Sequence, residues 1–179
     1  MENKEEVIEK NKKLIDEYPF LLPRNRWTGR VSDNYDYSYT ELDIAEVSDA
    51  WREKLLVPMF KEIKKELERA EACRTEETAE RKRFSRCYAG TNDAENNDYL
   101  HVWAITQIKE KWGALRVYSN FSSKELNAII SKYSKKSERT CWKCGKTAKV
   151  VSQGYILPFC EECSKEETGP FIPINEWLK

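Results

Sequence analysis

Four cysteines constrain this chain more than any other feature. They form two C-x2-C pairs, Cys141-Trp142-Lys143-Cys144 and Cys160-Glu161-Glu162-Cys163, with fifteen residues between them. A C-x2-C turn sets both sulfurs on one side of a tight knuckle and leaves half of a tetrahedron open. A second knuckle, returned by a hairpin, completes it, and Zn2+ is the usual occupant of such a four-thiolate site. One structural Zn2+ held by Cys141, Cys144, Cys160 and Cys163 is therefore expected. With all four positions taken by protein, no place is left for water, so the site argues for architecture rather than metal catalysis. Redox pairs or disulfides are the alternatives, and both need a context that nothing else in the chain supplies.

The 179 residues suffice for one ordinary domain, or for one domain and a small metal module. Charged residues reach 35%, but six Trp, nine Tyr and six Phe are enough to build a core. No apolar run approaches the ~20 residues of a membrane span, and the N-terminus is charged from its second residue, unlike a signal peptide. A cytoplasmic protein without a membrane partner is the expectation, with Cys73 and Cys87 as free thiols. Net charge is zero but unevenly spread. Residues 31–60 hold seven acids and two bases, whereas residues 101–140 hold eight bases and three acids. A bipolar surface follows.

The pattern predicts an α+β fold, with N-terminal helices packed on a small antiparallel sheet and a C-terminal four-cysteine zinc ribbon or knuckle. Residues 1–139 form the expected body, 140–165 the ribbon, and 166–179 a Pro-rich tail packing back on the body. A first helix is expected over 2–18, with Val7, Leu14 and Tyr18 near one face and Ile8 and Ile15 beside them. Ser48 is an N-cap for a second, whose stripe is Leu56, Phe60, Ile63, Leu67 and Ala70. Pro58 either kinks that helix or sits in the first turn of a separate one. Residues 71–98 read as a helix extension and then an exposed charged loop. A hairpin is expected over 99–119, with arms 99–109 and 114–119 joined by Glu110-Lys111-Trp112-Gly113, whose Gly can take a positive φ. Ser122 and Glu125 form a capping box for a helix over 122–139 that buries Leu126, Ile129, Ile130 and Tyr133. Within the ribbon, 149–151 and 155–157 are the arms of a further hairpin around Gln153-Gly154.

Two surfaces compete as binding sites. Lys132, Lys135, Lys136 and Arg139 share one helical stripe, which continues toward Lys143 beside Trp142. A basic track with an adjacent aromatic is what phosphate contact and base stacking require; an ordinary solvated helix face is the plainer account. The stretch from Asp33 to Asp43 alternates carboxylates with aromatics. Tyr35, Asp36, Tyr37, Glu41 and Asp43 are candidate contacts for a basic protein, and a strand with one Tyr face is the simpler alternative. Catalysis finds little support. His101 is the only histidine and lies in an apolar run, no nucleophile has a general base at hand, and no phosphate or dinucleotide fingerprint occurs. No small-molecule substrate is inferred.

The segments Gln107-Ile108-Lys109-Glu110-Lys111-Trp112-Gly113-Ala114-Leu115-Arg116-Val117-Tyr118 and Cys141-Trp142-Lys143-Cys144-Gly145 resemble a group of small bacterial and phage-encoded proteins. In that group a Q-[IV]-K-E-K-[FWY]-G-x-L-R-[FVW]-Y hairpin precedes a helix and a C-x2-C-G knuckle. Tyr18-Pro19-Phe20 and Tyr39-Thr40-Glu41-Leu42-Asp43 resemble its N-terminal part, so the likeness covers most of the chain. It implies no activity. It does imply a phage or mobile-element setting, in which small proteins often inhibit a host or defence factor. The expected function is thus non-enzymatic binding of nucleic acid through the basic helix and knuckle. The alternative is an anti-defence, anti-CRISPR-like inhibitor or adaptor that binds a nucleic-acid-handling host protein through the acidic segment. Trp112, at the hairpin tip, is expected to dock on the C-terminal helix, the alternative being an exposed anchor.

Overall fold

The computed structural model describes residues 3–25, 28–75 and 103–178, with the backbone alone for 71–75. His101, Cys87, the expected charged loop beyond Thr75 and the first residues of the expected 99–119 hairpin lie outside the described residues. The fold is α+β, with small antiparallel sheets and the four cysteines gathered near the C-terminus. Its chain divides into two compact units.

The first unit comprises Met1–Ala45, Ile63–Ile108 and Val117–Asn127. Helix α1 (Lys4–Glu17) begins at Asn3, whose side chain accepts from the Glu5 N–H while the Glu6 carboxylate accepts from the Asn3 N–H. This reciprocal cap satisfies donors that the first turn leaves orphaned. Tyr18 lies just past the helix and Pro19 opens a single 3-10 turn, Pro19–Leu21. Ile15, Tyr18, Phe20 and Leu21 are buried, and the Phe20 ring meets Trp103 edge-on at 5.7 Å. Trp103 Nε1 donates to the Phe121 carbonyl at 3.1 Å, and Asn120 Oδ1 accepts from the Ala104 N–H at 2.8 Å. The next helix, α4 (Lys124–Ser137), starts in this unit. Its cap is Ser123 rather than the expected Ser122, because Ser123 is the buried residue whose Oγ accepts from Leu126 N–H. Ser122 instead accepts from Asn127 Nδ2.

The acidic tyrosine stretch is not the strand that its parity suggests. Tyr37 has φ +63°, which turns the chain back on itself. The Tyr35 ring consequently lies 5.0 Å from Tyr37 and 5.5 Å from Tyr39, and its hydroxyl donates to the Tyr39 carbonyl. In an extended strand those side chains would stand about 7 Å apart along one face. Buried Asn11 of α1 fastens the loop by donating to the Tyr37 carbonyl at 3.0 Å.

The second unit comprises Glu46–Glu62, Lys109–Arg116 and Ala128–Lys179. Ser48 caps α2 (Asp49–Trp51) as its sequence context predicts, accepting from the Trp51 N–H. A widened π turn, Arg52–Leu56, then leads into α3 (Val57–Thr75). Pro58 thus occupies the first turn of α3, and the i→i+5 turn before it accommodates the missing N–H. Trp51, Leu55, Leu56, Met59 and Phe60 are fully buried. From Ile63 onward α3 belongs to the first unit; the expected stripe is buried at Ile63 and Ala70 and half-buried at Leu67.

Strands β1 (Ile105–Lys111) and β2 (Ala114–Ser119) are joined by Trp112-Gly113, with φ of 53° and 70°. Two consecutive left-handed residues make the turn whose twist suits a two-residue hairpin. Further on, β3 (Val150–Ser152) pairs antiparallel with β4 (Pro158–Phe159), Val150 opposite Phe159. The second arm therefore starts at Pro158, beyond the expected 155–157, and the connection is correspondingly wider. Short α5 (Glu161–Ser164) follows.

The C-terminal tail departs from expectation. Rather than simply covering the body, β5 (Phe171–Pro173) adds a third strand to the cysteine module, with Ile172 opposite Val151. Pro173 is tolerated because β5 is an edge strand of the order β4-β3-β5. The closing turn, α6 (Ile174–Trp177), buries Ile174 against Ala148 and Val151. This unit runs across the expected boundary at residue 139/140. Among the described residues no helix is long and apolar enough to cross a membrane.

Candidate metal centre

The two knuckles are built by backbone geometry before any metal is considered. In the first, the Cys141 N–H donates to the Lys146 carbonyl at 2.7 Å and the Gly145 N–H to the Cys141 carbonyl at 2.9 Å. Gly145 has φ +73°, and a Cβ there would lie 2.6 Å from Lys54 Cγ. Only glycine fits both the conformation and the approach. In the second knuckle Cys160 caps α5, its Sγ accepting from the Cys163 N–H at 3.4 Å.

All four sulfurs lie within 4.8 Å of one another. Sγ of Cys144 and Cys160 are 3.6 Å apart, against about 2.05 Å in a disulfide. Tetrahedral coordination at a metal–sulfur distance near 2.3 Å requires sulfurs roughly 3.8 Å apart. The donor set therefore fits a single tetrahedral ion, and Cys141, Cys144, Cys160 and Cys163 are placed to hold a structural metal. Around it stands an apolar shell of Leu157 and Phe159, with Trp142, Val150 and Phe171 packed against them. Phe159 and Phe171 meet edge-on at 6.0 Å, so the third strand directly walls the site.

A second clamp was not visible in the sequence. Ser48 Oγ donates to the Trp142 carbonyl at 2.5 Å, and Trp51 Nε1 to the Thr140 carbonyl at 2.9 Å. The Trp51 and Trp142 rings meet edge-on at 5.0 Å. Ser48 and Trp51 thus hold the first knuckle from outside. Nothing local in either segment signals the pairing.

Trp142 is accordingly half-buried, with its ring packed against Trp51 and the apolar shell. The basic stripe is compensated in part. Lys132 binds the Glu62 carboxylate at 2.6 and 2.9 Å, and that carboxylate also accepts from Tyr133 OH at 2.8 Å. Lys132 holds Glu62 below the usual carboxylate range, while burial and then Glu62 push Tyr133 up to about 12. Arg139 donates to Asn175 Oδ1, and Lys136 Nζ sits 5.6 Å from the Tyr133 ring centre. Lys143 is paired with Glu167 and Glu166, both at 3.0 Å, which raises its pKa; Lys146 is paired with Glu162 at 2.5 Å. Lys135 alone of the six nucleic-acid candidates is exposed with no such contact among the described residues.

The acidic stretch is also sorted by the fold. Asp36 pairs with Lys4 at 3.1 Å and accepts from the Ser38 N–H, and the Ser38 and Lys4 hydrogen bonds lower it to about 2. Asp43 accepts from the Thr40 N–H and Oγ1 at 2.6 and 3.0 Å. Glu41 turns inward, 7% exposed, and burial pushes its carboxyl up to about 7. Tyr35 is likewise raised to about 12, first by burial. Asp33, Asp36, Tyr39, Asp43 and Ile44 remain at the surface. Trp112, expected to dock, is 65% exposed, with Lys111 Nζ 4.3 Å from its ring centre. Compared with known proteins, the chain matches no family model, no curated protein and no solved structure.

Proposed function

We propose that this is a non-enzymatic binding protein, stapled by one Zn2+, that engages a protein partner through the tyrosine loop of the first unit. The observation that carries this reading is the loop itself. Asn11 and the Tyr35 ring stack hold it in one conformation, and it presents Tyr39 (42% exposed) and Ile44 (60% exposed) among the carboxylates of Asp33, Asp36 and Asp43. A preformed surface whose apolar anchors lie beside the carboxylates of Asp33 and Asp43, with Asp36 already paired to Lys4, suits a basic protein surface, because little ordering entropy is lost on binding. Zn2+ is favoured for the metal because four thiolates in a closed tetrahedral set are its commonest structural site.

The competing nucleic-acid reading has less support, because Lys132 and Lys143 already neutralise carboxylates of this chain. Resemblance of the hairpin and knuckle to phage-encoded proteins favours an inhibitor or adaptor acting on a host factor, such as a nucleic-acid-handling defence nuclease. The test is affinity capture from host lysate, compared across wild type, Asp36→Asn/Asp43→Asn/Ile44→Ser and Glu41→Gln. One stoichiometric protein is expected with wild type and Glu41→Gln, and its loss with the triple variant. Salt-sensitive retention of an oligonucleotide, abolished by Lys135→Glu/Lys136→Glu, would replace this reading by the nucleic-acid one.

A further inference from the structure

We propose that a second copy of this chain docks in the groove beside Trp112, related to the first by a twofold axis. This open groove, about 600 Å3, lies wholly within the second unit. Ala114, Ile156, Trp177 and Leu178 make its apolar lining and Trp112 its rim. The rim is rigid. A Cβ at Gly113 would meet Ile156 Cγ2 at 3.2 Å and Trp177 Cη2 at 3.4 Å, so the turn is already clasped by the C-terminal segment. Glu110 pins it further, accepting from the Gly113 N–H at 2.6 Å and from Tyr155 OH at 3.1 Å. Trp112 and Tyr155 are nevertheless 65% and 69% exposed, and rigid exposed aromatics are the residues that dominate interface energetics.

What selects a second copy is the charge in the lining. The groove contains one cation, Arg116, and one anion, Glu138, both half-buried. Neither has an ion pair among the described residues, and Arg116 makes a single long hydrogen bond, to Ser134 Oγ at 3.4 Å. A partner surface of one sign would satisfy one of the two and bury the other without a partner, at considerable cost. A twofold copy satisfies both at once. In an isologous contact, if Arg116 of one protomer meets Glu138 of the other, the reverse pair forms by symmetry. The same operation covers both copies of Trp112. This contact uses a different surface from the tyrosine loop, so the two readings stand or fall separately.

Sedimentation velocity of the zinc-loaded full chain, from micromolar to millimolar concentration, tests the proposal. Wild type is expected to pass reversibly from monomer to dimer. Arg116→Glu and Glu138→Arg each place like charges together and are expected to weaken the dimer at least tenfold. An equimolar mixture of the two variants is expected to restore it as a heterodimer, which a misfolded chain cannot do. Zinc content and far-UV circular dichroism confirm that each variant is folded. Trp112→Ala is expected to dissociate the dimer, and Asp36→Asn/Asp43→Asn/Ile44→Ser to leave it intact. A wild-type monomer throughout the range overturns the proposal. So does a dimer indifferent to Arg116→Glu, or a mixture that stays monomeric. Host-protein capture by a strictly monomeric chain would overturn it while leaving the tyrosine-loop reading in place.

Discussion

The tyrosine loop of the first unit and the cysteine module of the second meet the same difficulty in different ways. Both are short segments that depend on contacts from residues distant in sequence. The loop is held by side chains that reach in from a helix, and it carries one buried carboxyl, Glu41. The module is held by four sulfurs, a three-stranded sheet and a tryptophan clamp. The first arrangement is therefore expected to respond to protons and the second, through its four thiols, to metal.

Metal removal is the strongest way to break that contrast. Chelation, or Cys144→Ser, is expected to cost several kcal/mol of stability, since structural Zn2+ can supply about 10–16 kcal/mol of apparent folding free energy in a small module. Hydrogen exchange measured along the chain should show amides of Cys141–Cys163 losing protection while the Asn11–Tyr37 region keeps it. Equal loss in both would show that the two regions are not distinct in this sense.

Protonation should act on the other region. Glu41 rises from its ordinary 4.5 to about 7 in the folded state. Between those values the folded chain holds a proton that the unfolded chain has released, so this group makes stability fall as pH climbs through that window. Glu41→Gln removes the titration. Urea unfolding should find the variant nearly equal to wild type at pH 4.5 and more stable at pH 8, by up to about 3 kcal/mol. A pH-independent difference would contradict the buried-carboxyl account.

Smaller effects sharpen the comparison. Gly145→Ala forces an L-residue into positive φ and against Lys54, and should destabilise the chain by roughly 1–3 kcal/mol, read as a lower Tm with zinc still bound. Lys132→Ala breaks an exposed ion pair and should change stability by less than about 1 kcal/mol, less again at high salt.

Much of this was legible where the signal is local. The C-x2-C spacing, the Ser48 cap, most of the apolar stripe of α3 and the Trp112-Gly113 turn each depend on residues within a few positions of one another. What was not legible depends on distance or on competition. The clamp of Ser48 and Trp51 joins residues far apart in sequence, and neither end has a pattern that names the other. A Pro-rich tail gave no strand signal because an edge position, which alone tolerates Pro173, is a property of the finished sheet. Tyrosine parity misled because one residue with positive φ outweighs an alternating pattern. The lysine stripe was visible, but the carboxylates that pair with Lys132, and with Lys143 and Lys146 beyond it, come from α3 and from residues 162–167, so charge along the chain differed from charge in space.

The same clamp has a consequence for synthesis. Trp51 precedes its acceptor, Thr140, by 89 residues, and Ser48 precedes Trp142 by 94. At about 5–20 residues per second, a ribosome takes roughly 5–20 s to make that interval. Throughout it, the helix from Asp49 onward has emerged with the indole of Trp51, fully buried in the finished protein, still without its cover. During synthesis the Trp51 indole therefore has to wait for the first knuckle, and the order in which the chain emerges sets how long this aromatic stays uncovered.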